Sequence, residues 1–247
     1  MFKACVVIPV YNHEQAIGAV VDSVLAQKLP CVLVDDGSSA SCAGVLEKVA
    51  AATPELISLI RHPVNRGKGG AVLTGLRYAA QAGYSHAVQI DADGQHRASD
   101  IPRFIEQAAA HPRALIVGCP TYDHTVPSFR FYARYFTHVW VCINTLSLKI
   151  KDSMCGFRVY PLSSIMALDA RRKLGERMSF DIEVLVRLYW DGVEIINLPT
   201  PVFYRADGIS HYRGWLDNWL ISRAHATLFL GMLLRMPMLI ARKWNGS

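Results

Sequence analysis

Short apolar runs recur along this chain, each stopping at a polar loop and each followed by apolar residues at helical spacing. Phe2 to Val10 predicts a buried strand, and Ile17, Val20, Val21, Val24 and Leu25 mark one face of a helix over 14–27. Cys31 to Val34 is the second predicted strand, broken by Asp35-Asp36-Gly37-Ser38-Ser39, with a helix over 45–51 and a third strand over 56–60. Asn65-Arg66-Gly67-Lys68-Gly69-Gly70 opens a helix to about residue 82. A strand over 86–90, a helix over 100–110 and a strand over 114–118 follow. This alternation predicts stacked βαβ units and a mostly parallel sheet. Ligands of such sheets sit at the carboxyl ends of the strands, here the loops 11–13, 35–39 and 91–96.

Beyond Gly118 the rhythm breaks. Ser128 to Leu148 reads as an aromatic, basic helix, residues 152–160 as a loop and strand, and Ser179 to Trp190 as a helix. Two closing strands are predicted at 193–198 and 202–204. Trp215 to Trp244 is one long apolar stretch interrupted by Arg223, His225 and Arg235, with Pro237 near its end.

Composition sharpens this picture at its two ends. Residues 1–100 hold 8 Lys and Arg against 9 Asp and Glu, whereas residues 203–247 hold 6 against 2. Basic charge and apolar content therefore rise together, which suits an anionic membrane surface and argues against a nucleic-acid partner. The six cysteines show no Cys-x-x-Cys or zinc spacing, and Cys5 and Cys31 lie in apolar runs, as in a reduced cytoplasmic protein. The opening run has only Lys3 as a basic residue and ends at Pro9 without a small-residue cleavage site, unlike a signal peptide.

The candidate chemistry centres on Asp91-Ala92-Asp93-Gly94-Gln95-His96. Two carboxylates on one side of a strand end repel each other, so a cation is expected between or beside them. Hard oxygen ligands there suit Mg²⁺ or Mn²⁺, ions that commonly also hold a substrate phosphate. Helix capping or an Asx-turn is the plainer use of the same residues. The glycine-rich 65–70 segment could present backbone N–H groups, Arg66 and Lys68 to phosphate, or simply turn into a helix. Asp35 and Asp36 could accept a bond from a nucleobase, or form a solvated turn.

Taken together, Val7-Ile8-Pro9-Val10-Tyr11-Asn12, Val34-Asp35-Asp36-Gly37-Ser38, Asn65-Arg66-Gly67-Lys68-Gly69, the Asp91–His96 stretch, Gly156-Phe157-Arg158 and Arg205-Ala206-Asp207-Gly208-Ile209-Ser210-His211 resemble the family-two inverting glycosyltransferases. The resemblance is to their polyprenyl-phosphate branch, similar to dolichyl-phosphate mannose synthases, and covers about residues 3–212. It implies an α/β, Rossmann-like GT-A fold with a mostly parallel sheet flanked by helices. It further implies that Pro9, Tyr11, Asp36 and Asp35 hold the base and ribose of a nucleotide-diphosphate sugar. Asp91 and Asp93 would position its diphosphate through Mg²⁺ or Mn²⁺, assisted by Gln95, with Lys68 facing phosphate. Arg205, a catalytic candidate, and Ser210 would lie over the diphosphate, with His211 in place of a frequent Lys. Asp181 is the nearest match to the carboxylate base of the hydroxyl-acceptor branch, although the usual Glu-Asp pair is absent; an acceptor that is itself a phosphate needs no base.

On this reading a catalytic domain spans 1–212, and 213–247 is an amphipathic, basic segment lying in the membrane interface with Trp rings and Arg heads at the headgroups. A terminal helix packed on the domain is the alternative. The expected enzyme acts on a lipid-linked acceptor from the cytoplasmic membrane face, as a peripheral protein. Three other readings stand beside it. One is transfer to a hydroxyl of a lipid, pigment or envelope glycan. Another is a nucleotide-sugar-binding membrane subunit without turnover. The last is a nucleotidyltransferase, for which a glycine-rich loop is expected straight after the first strand, where Tyr11-Asn12-His13 stands instead.

Overall fold

A computed structural model describes residues 1–121, 128–202 and 213–244, with side chains in the helix from Ser128 described from residue 134 onward. The strands are β1 (Ala4–Val10), β2 (Cys31–Asp35), β3 (Ile57–Arg61), β4 (His86–Gln89), β5 (Leu115–Thr121), β6 (Arg158–Pro161) and β7 (Ile195–Pro201). They form one sheet in the order β3-β2-β1-β4-β6-β5-β7. β1 pairs in parallel with β2 and β4, β2 with β3, and β5 with β7, while β6 runs antiparallel to both β4 and β5. The reversed strand matters for the site. Its lead-in loop, 152–157, approaches from the edge where β4 ends.

The helices are α1 (Ile17–Leu25), α2 (Ala40–Ala52), α3 (Lys68–Gln81), α4 (Ile101–Ala110), α5 (Ser128–Thr145), α6 (Leu162–Arg171), α7 (Phe180–Trp190) and α8 (Gly214–Trp244). The period-two alternation of β1 divides the core. Cys5 and Val7 pack with residues of α3, α6 and α7, and Val6, Ile8 and Val10 pack with residues of α1 and α4. α2 begins before the predicted residue 45 because the Ser39 side chain accepts the Cys42 N–H (3.3 Å) and caps it. α1 begins at Ile17, three residues later than predicted, and α6 lies where no helix was predicted. The strand predicted over 202–204 is described only at Val202, which bridges His96.

α8 is long and apolar enough to cross a membrane by length and composition. Asp217, Ile221, His225, Leu228, Met232 and Leu239 form its buried stripe, packed on the domain through α5 and α7. Its other face exposes Trp215, Trp219, Leu230, Leu234 and Trp244, and α5 adds exposed Tyr135 and Phe136. Two of the arginines expected among headgroups point the other way. Arg235 lies over the Trp190 ring at 4.8 Å, and Arg242 donates to the carbonyls of Tyr189 (2.9 Å) and Trp190 (3.0 Å) at the end of α7. The partial negative charge at a helix C-terminus attracts a cation, which explains the inward turn of Arg242. The inner half of α8 is thus the packed helix of the alternative reading, while the expected division at 212/213 falls at the edge of residues outside the description.

Candidate active site

The parallel strands β1 to β4 deliver four polar loops to one edge of the sheet, and hydrogen bonds join them. Asn12 takes a left-handed turn (φ 53°) directly after β1; its N–H reaches Ser38 Oγ (3.1 Å), and its side chain accepts the Ser39 N–H (2.8 Å). Pro9 and Tyr11, both half-buried, flank this junction. Asp35 accepts the Ser38 N–H (2.9 Å) and pairs with Arg61 (3.2 Å). Asp36 is 2% exposed and receives three donors: His62 Nδ1 (2.8 Å), Arg66 N–H (2.9 Å) and Gly67 N–H (2.8 Å). It therefore ties the loop after β2 to the glycine-rich segment.

That segment is built for close packing. Gly67 sits at φ +94°, and the Gly70 N–H donates to the Glu176 carbonyl (2.9 Å). A Cβ on Gly69 would stand 2.7 Å from the Gly175 oxygen and from the Phe180 ring. The glycines let residues 175–180 lie against the start of α3, so the Gly70 amide already has a protein acceptor. Lys68 is the group that enters the site. Its Nζ lies 2.9 Å from Asp91 Oδ2 and 3.1 Å from Asp181 Oδ2.

Asp91 and Asp93 follow β4, with Gly94 at φ +70° making the turn and the Gln95 N–H donating to Asp93 Oδ1 (3.0 Å). Asp91 Oδ1 is buried without a hydrogen-bond partner among the described residues, as is His96 Nδ1. Burial works to raise the Asp91 carboxyl, but Lys68, His96 and Arg158 together hold it below the usual range. Asp93 goes the other way: burial, then the neighbouring Asp91, push it up to about 6. Burial opposes the Lys68 charge as well, yet Asp181 and Asp91 outweigh it and raise its pKa. One carboxylate is thus neutralised by an internal lysine, and the other carries an uncompensated charge.

Among the described residues no three metal-ligating side chains cluster. Two hard carboxylates, one with an orphaned oxygen, fit a divalent cation that takes its remaining donors from a diphosphate rather than a cation caged by protein alone. Gln95, the third residue expected at the metal, is half-buried beside them.

Asp181, at the first turn of α7, is 4% exposed. Besides Lys68 it meets Gln89 Nε2 at 3.4 Å, and Gln89 accepts the Tyr160 hydroxyl (3.0 Å). Sequence reading passed over Gln89 and Tyr160; an amide in the last position of a buried strand was the available signal. Loop 152–156 closes the wall. A Cβ on Gly156 would stand 2.7 Å from Asp91 Oδ1 and 2.6 Å from Lys68 Nζ, so any larger residue would push the ends of that ion pair aside. The structure brings Lys68, Asp91 and Asp181 together. Arg205, Ser210 and His211 lie outside the described residues.

The family model for glycosyl transferase family 2 matches residues 5–166. Polyprenol monophosphomannose synthase of Mycolicibacterium smegmatis is 23% identical over 225 residues, 86% of this chain and 82% of the relative. Undecaprenyl-phosphate mannosyltransferase of Micrococcus luteus is 25% identical over 220 residues, 86% of this chain and 88% of the relative. A solved complex of Mycobacterium tuberculosis glucosyl-3-phosphoglycerate synthase with Mn²⁺, UDP-glucose and glycerol 3-phosphate has a TM-score of 0.64 at 18% identity. The match covers 94% of this chain and 80% of that one. A Pyrobaculum calidifontis mannosyltransferase solved with GDP-Man and Mn²⁺ has a TM-score of 0.61 at 17% identity, covering 94% and 64%. At these identities the two structures bear on the fold, which is the GT-A arrangement.

Proposed function

Because the chain belongs to glycosyl transferase family 2, we propose that it moves a sugar from a nucleotide-diphosphate sugar to the phosphate of a polyprenyl phosphate, inverting the anomeric carbon. The relatives named for polyprenol and undecaprenyl phosphate motivate the acceptor class. The setting of Asp181 is the observation that carries the choice. A base for a hydroxyl acceptor has to reach the acceptor and be free to take its proton. Asp181 is buried against Lys68 and Gln89 instead. A phosphate acceptor is already an anion and needs no base, so Asp181 serves to hold charge.

In this reading Pro9 and Tyr11 line the base and ribose end, and Asp35 and Asp36, both buried, act through the loops they tie. Asp91 and Asp93, with Gln95, would hold Mg²⁺ or Mn²⁺ at the diphosphate; when bound, that ion neutralises charge growing on the leaving group. An acceptor phosphate oxygen attacks C1 opposite the diphosphate. The C1–O bond breaks, and its electron pair leaves with the nucleoside diphosphate. Lys68 keeps Asp91 ionised and in place. Arg205 is assigned to the same developing charge, and Ser210 and His211 to the diphosphate, on the family resemblance alone.

The acceptor's tail calls for a lipid surface, and the outer face of α8, apolar with exposed Arg223 beside Trp219, is the candidate together with Tyr135 and Phe136 of α5. Lifting α8 off the domain to span a bilayer would strip Arg235 from Trp190 and cost roughly 2.5–3.5 kcal/mol for an arginine at mid-span. We therefore place the protein flat on the cytoplasmic membrane face, apolar side down. Incubation with a panel of nucleotide sugars and undecaprenyl phosphate should yield a monophosphate-linked sugar of inverted configuration by NMR. Transfer only to unphosphorylated alcohols would overturn the acceptor assignment. Trp219→Glu with Leu234→Glu should abolish flotation with vesicles while nucleotide binding persists; absence of flotation by the unmodified protein would remove the membrane placement.

A further inference from the structure

Arg158 is the largest of the fully buried side chains among the described residues, at 0% exposure, and the activity proposed above gives it no task. A permanent cation in the core is costly unless its donors are met. Here they are met mainly by backbone. Nε donates to the Cys155 carbonyl (2.8 Å), one terminal nitrogen to the Ser153 carbonyl (2.7 Å), and the other to the Asp181 carbonyl (2.7 Å). The Asp181 carboxylate is 3.8 Å away.

These carbonyls belong to two segments far apart in the chain that form adjoining walls of the site. Ser153 and Cys155 belong to the loop whose Gly156 lies on the Asp91 carboxylate. Asp181 starts α7 and pairs with Lys68. The loop has a second anchor: Arg134 grips Asp152 through two bonds (2.6 and 2.9 Å), and Asp152 accepts the N–H groups of Met154 (2.9 Å) and Cys155 (2.7 Å). Loop 152–156 is thus held by one arginine on each side, and Arg158 also reaches α7.

We infer that Arg158 is a positioning residue for the diphosphate end of the site: its planar guanidinium joins loop 153–156 to the first turn of α7 and so fixes Asp91 and Asp181 on either side of Lys68. A lysine at this place keeps the charge but has donors on one nitrogen, which cannot meet three carbonyls spread around a fork. The inference rests on the reading of Asp91 and Asp93 as the diphosphate and cation site.

Arg158→Lys in the full-length chain tests it, with melting temperature, Mn²⁺-dependent binding of UDP and GDP by calorimetry, and steady-state kinetics. Misplaced outer residues at a metal site typically cost about 10–100-fold in affinity or activity. We expect folded Arg158→Lys to bind nucleoside diphosphate about 10-fold more weakly and to lose kcat by more than KM changes. A purely structural arginine would lower the melting temperature while binding and kcat of the folded protein stayed within about 2-fold of the parent, against the 10–100-fold expected of a positioning residue; that result overturns the inference. If Arg158→Lys does not fold, Asp152→Asn loosens the same loop from its other anchor and should weaken nucleotide binding likewise. Unchanged binding by Asp152→Asn then counts against the inference. Failure of the unmodified protein to bind any nucleoside diphosphate is a different outcome, and removes the glycosyltransferase site reading itself.

Discussion

Two carboxylates stand at the end of β2 and two just beyond β4, and the fold uses them in opposite ways. Asp35 and Asp36 are inside a finished network: Ser38 and Arg61 supply donors to Asp35, and His62, Arg66 and Gly67 supply them to Asp36. Asp91 and Asp93 are left unfinished, with one orphaned oxygen and one carboxyl driven up by burial and then by its neighbour. Two acids next to each other in sequence point to different partners and can both be satisfied. Two acids separated by one residue after a strand stay within each other's field. The first pair builds the loops, and the second keeps electrostatic strain that a cation can relieve.

The largest effect should separate the pairs by activity. Asp93→Ala is expected to lower turnover by about 10²–10³-fold or more, since it removes stabilisation of charge on the leaving group. Its melting temperature should stay within a few degrees of the parent or rise. Near-normal turnover, or full activity in excess chelator, would break the comparison on the β4 side.

Next in size is Asp36→Ala. It leaves three donors without their acceptor, two of them backbone N–H groups, which at about 1–3 kcal/mol each should cost the protein on the order of 3 kcal/mol or more. Urea or thermal melting should register this as a fall of roughly 6–12 °C. A variant that melts like the parent but no longer binds nucleotide would mean that Asp36 contacts the nucleotide directly.

A smaller effect joins pH to the cation. The folded Asp93 carboxyl is raised to about 6 from an ordinary 3.8, so between those values the folded protein keeps a proton that the unfolded chain has lost. Its contribution to stability is full below pH 3.8 and is lost as pH rises through 6. Added Mn²⁺ should therefore raise the melting temperature more at pH 7.5 than at pH 5, and Asp93→Asn should flatten that difference. An equal Mn²⁺ response at both pH values, or none, would place the strain elsewhere.

The mildest test is Ser38→Ala, which removes the acceptor of the Asn12 N–H and one link between the loops after β1 and β2. We expect about 0.5–1.5 kcal/mol of stability lost and a modest rise in nucleotide KM with kcat unchanged. A fall in kcat as large as that of Asp93→Ala would erase the distinction between a building loop and a reacting one.

The sheet from β1 to β5 was legible in the sequence because each strand is an apolar run bounded by turn residues, a pattern local to a few neighbours. The loops at its carboxyl edge, and the acids in them, were legible for the same reason. α6 was not, since its buried residues Leu162, Ile165 and Leu168 mark less than two turns of a helical stripe. Nor could residue pattern say that the glycines of 67–70 serve a loop more than a hundred positions away, or that Arg235 and Arg242 turn inward.

By itself the sequence determined the alternation of strands and helices from β1 to β5, the carboxylate-bearing turns and the apolar character of α8, all properties of residues close together in the chain. Tertiary structure alone decided that Lys68 stands between Asp91 and Asp181, that Arg158 is swallowed by three carbonyls, and which face of α8 is left bare. The physical reason is that a charge's partner is set by distance through space. β6, entering the sheet in reverse, is what brings its lead-in loop to the end of β4.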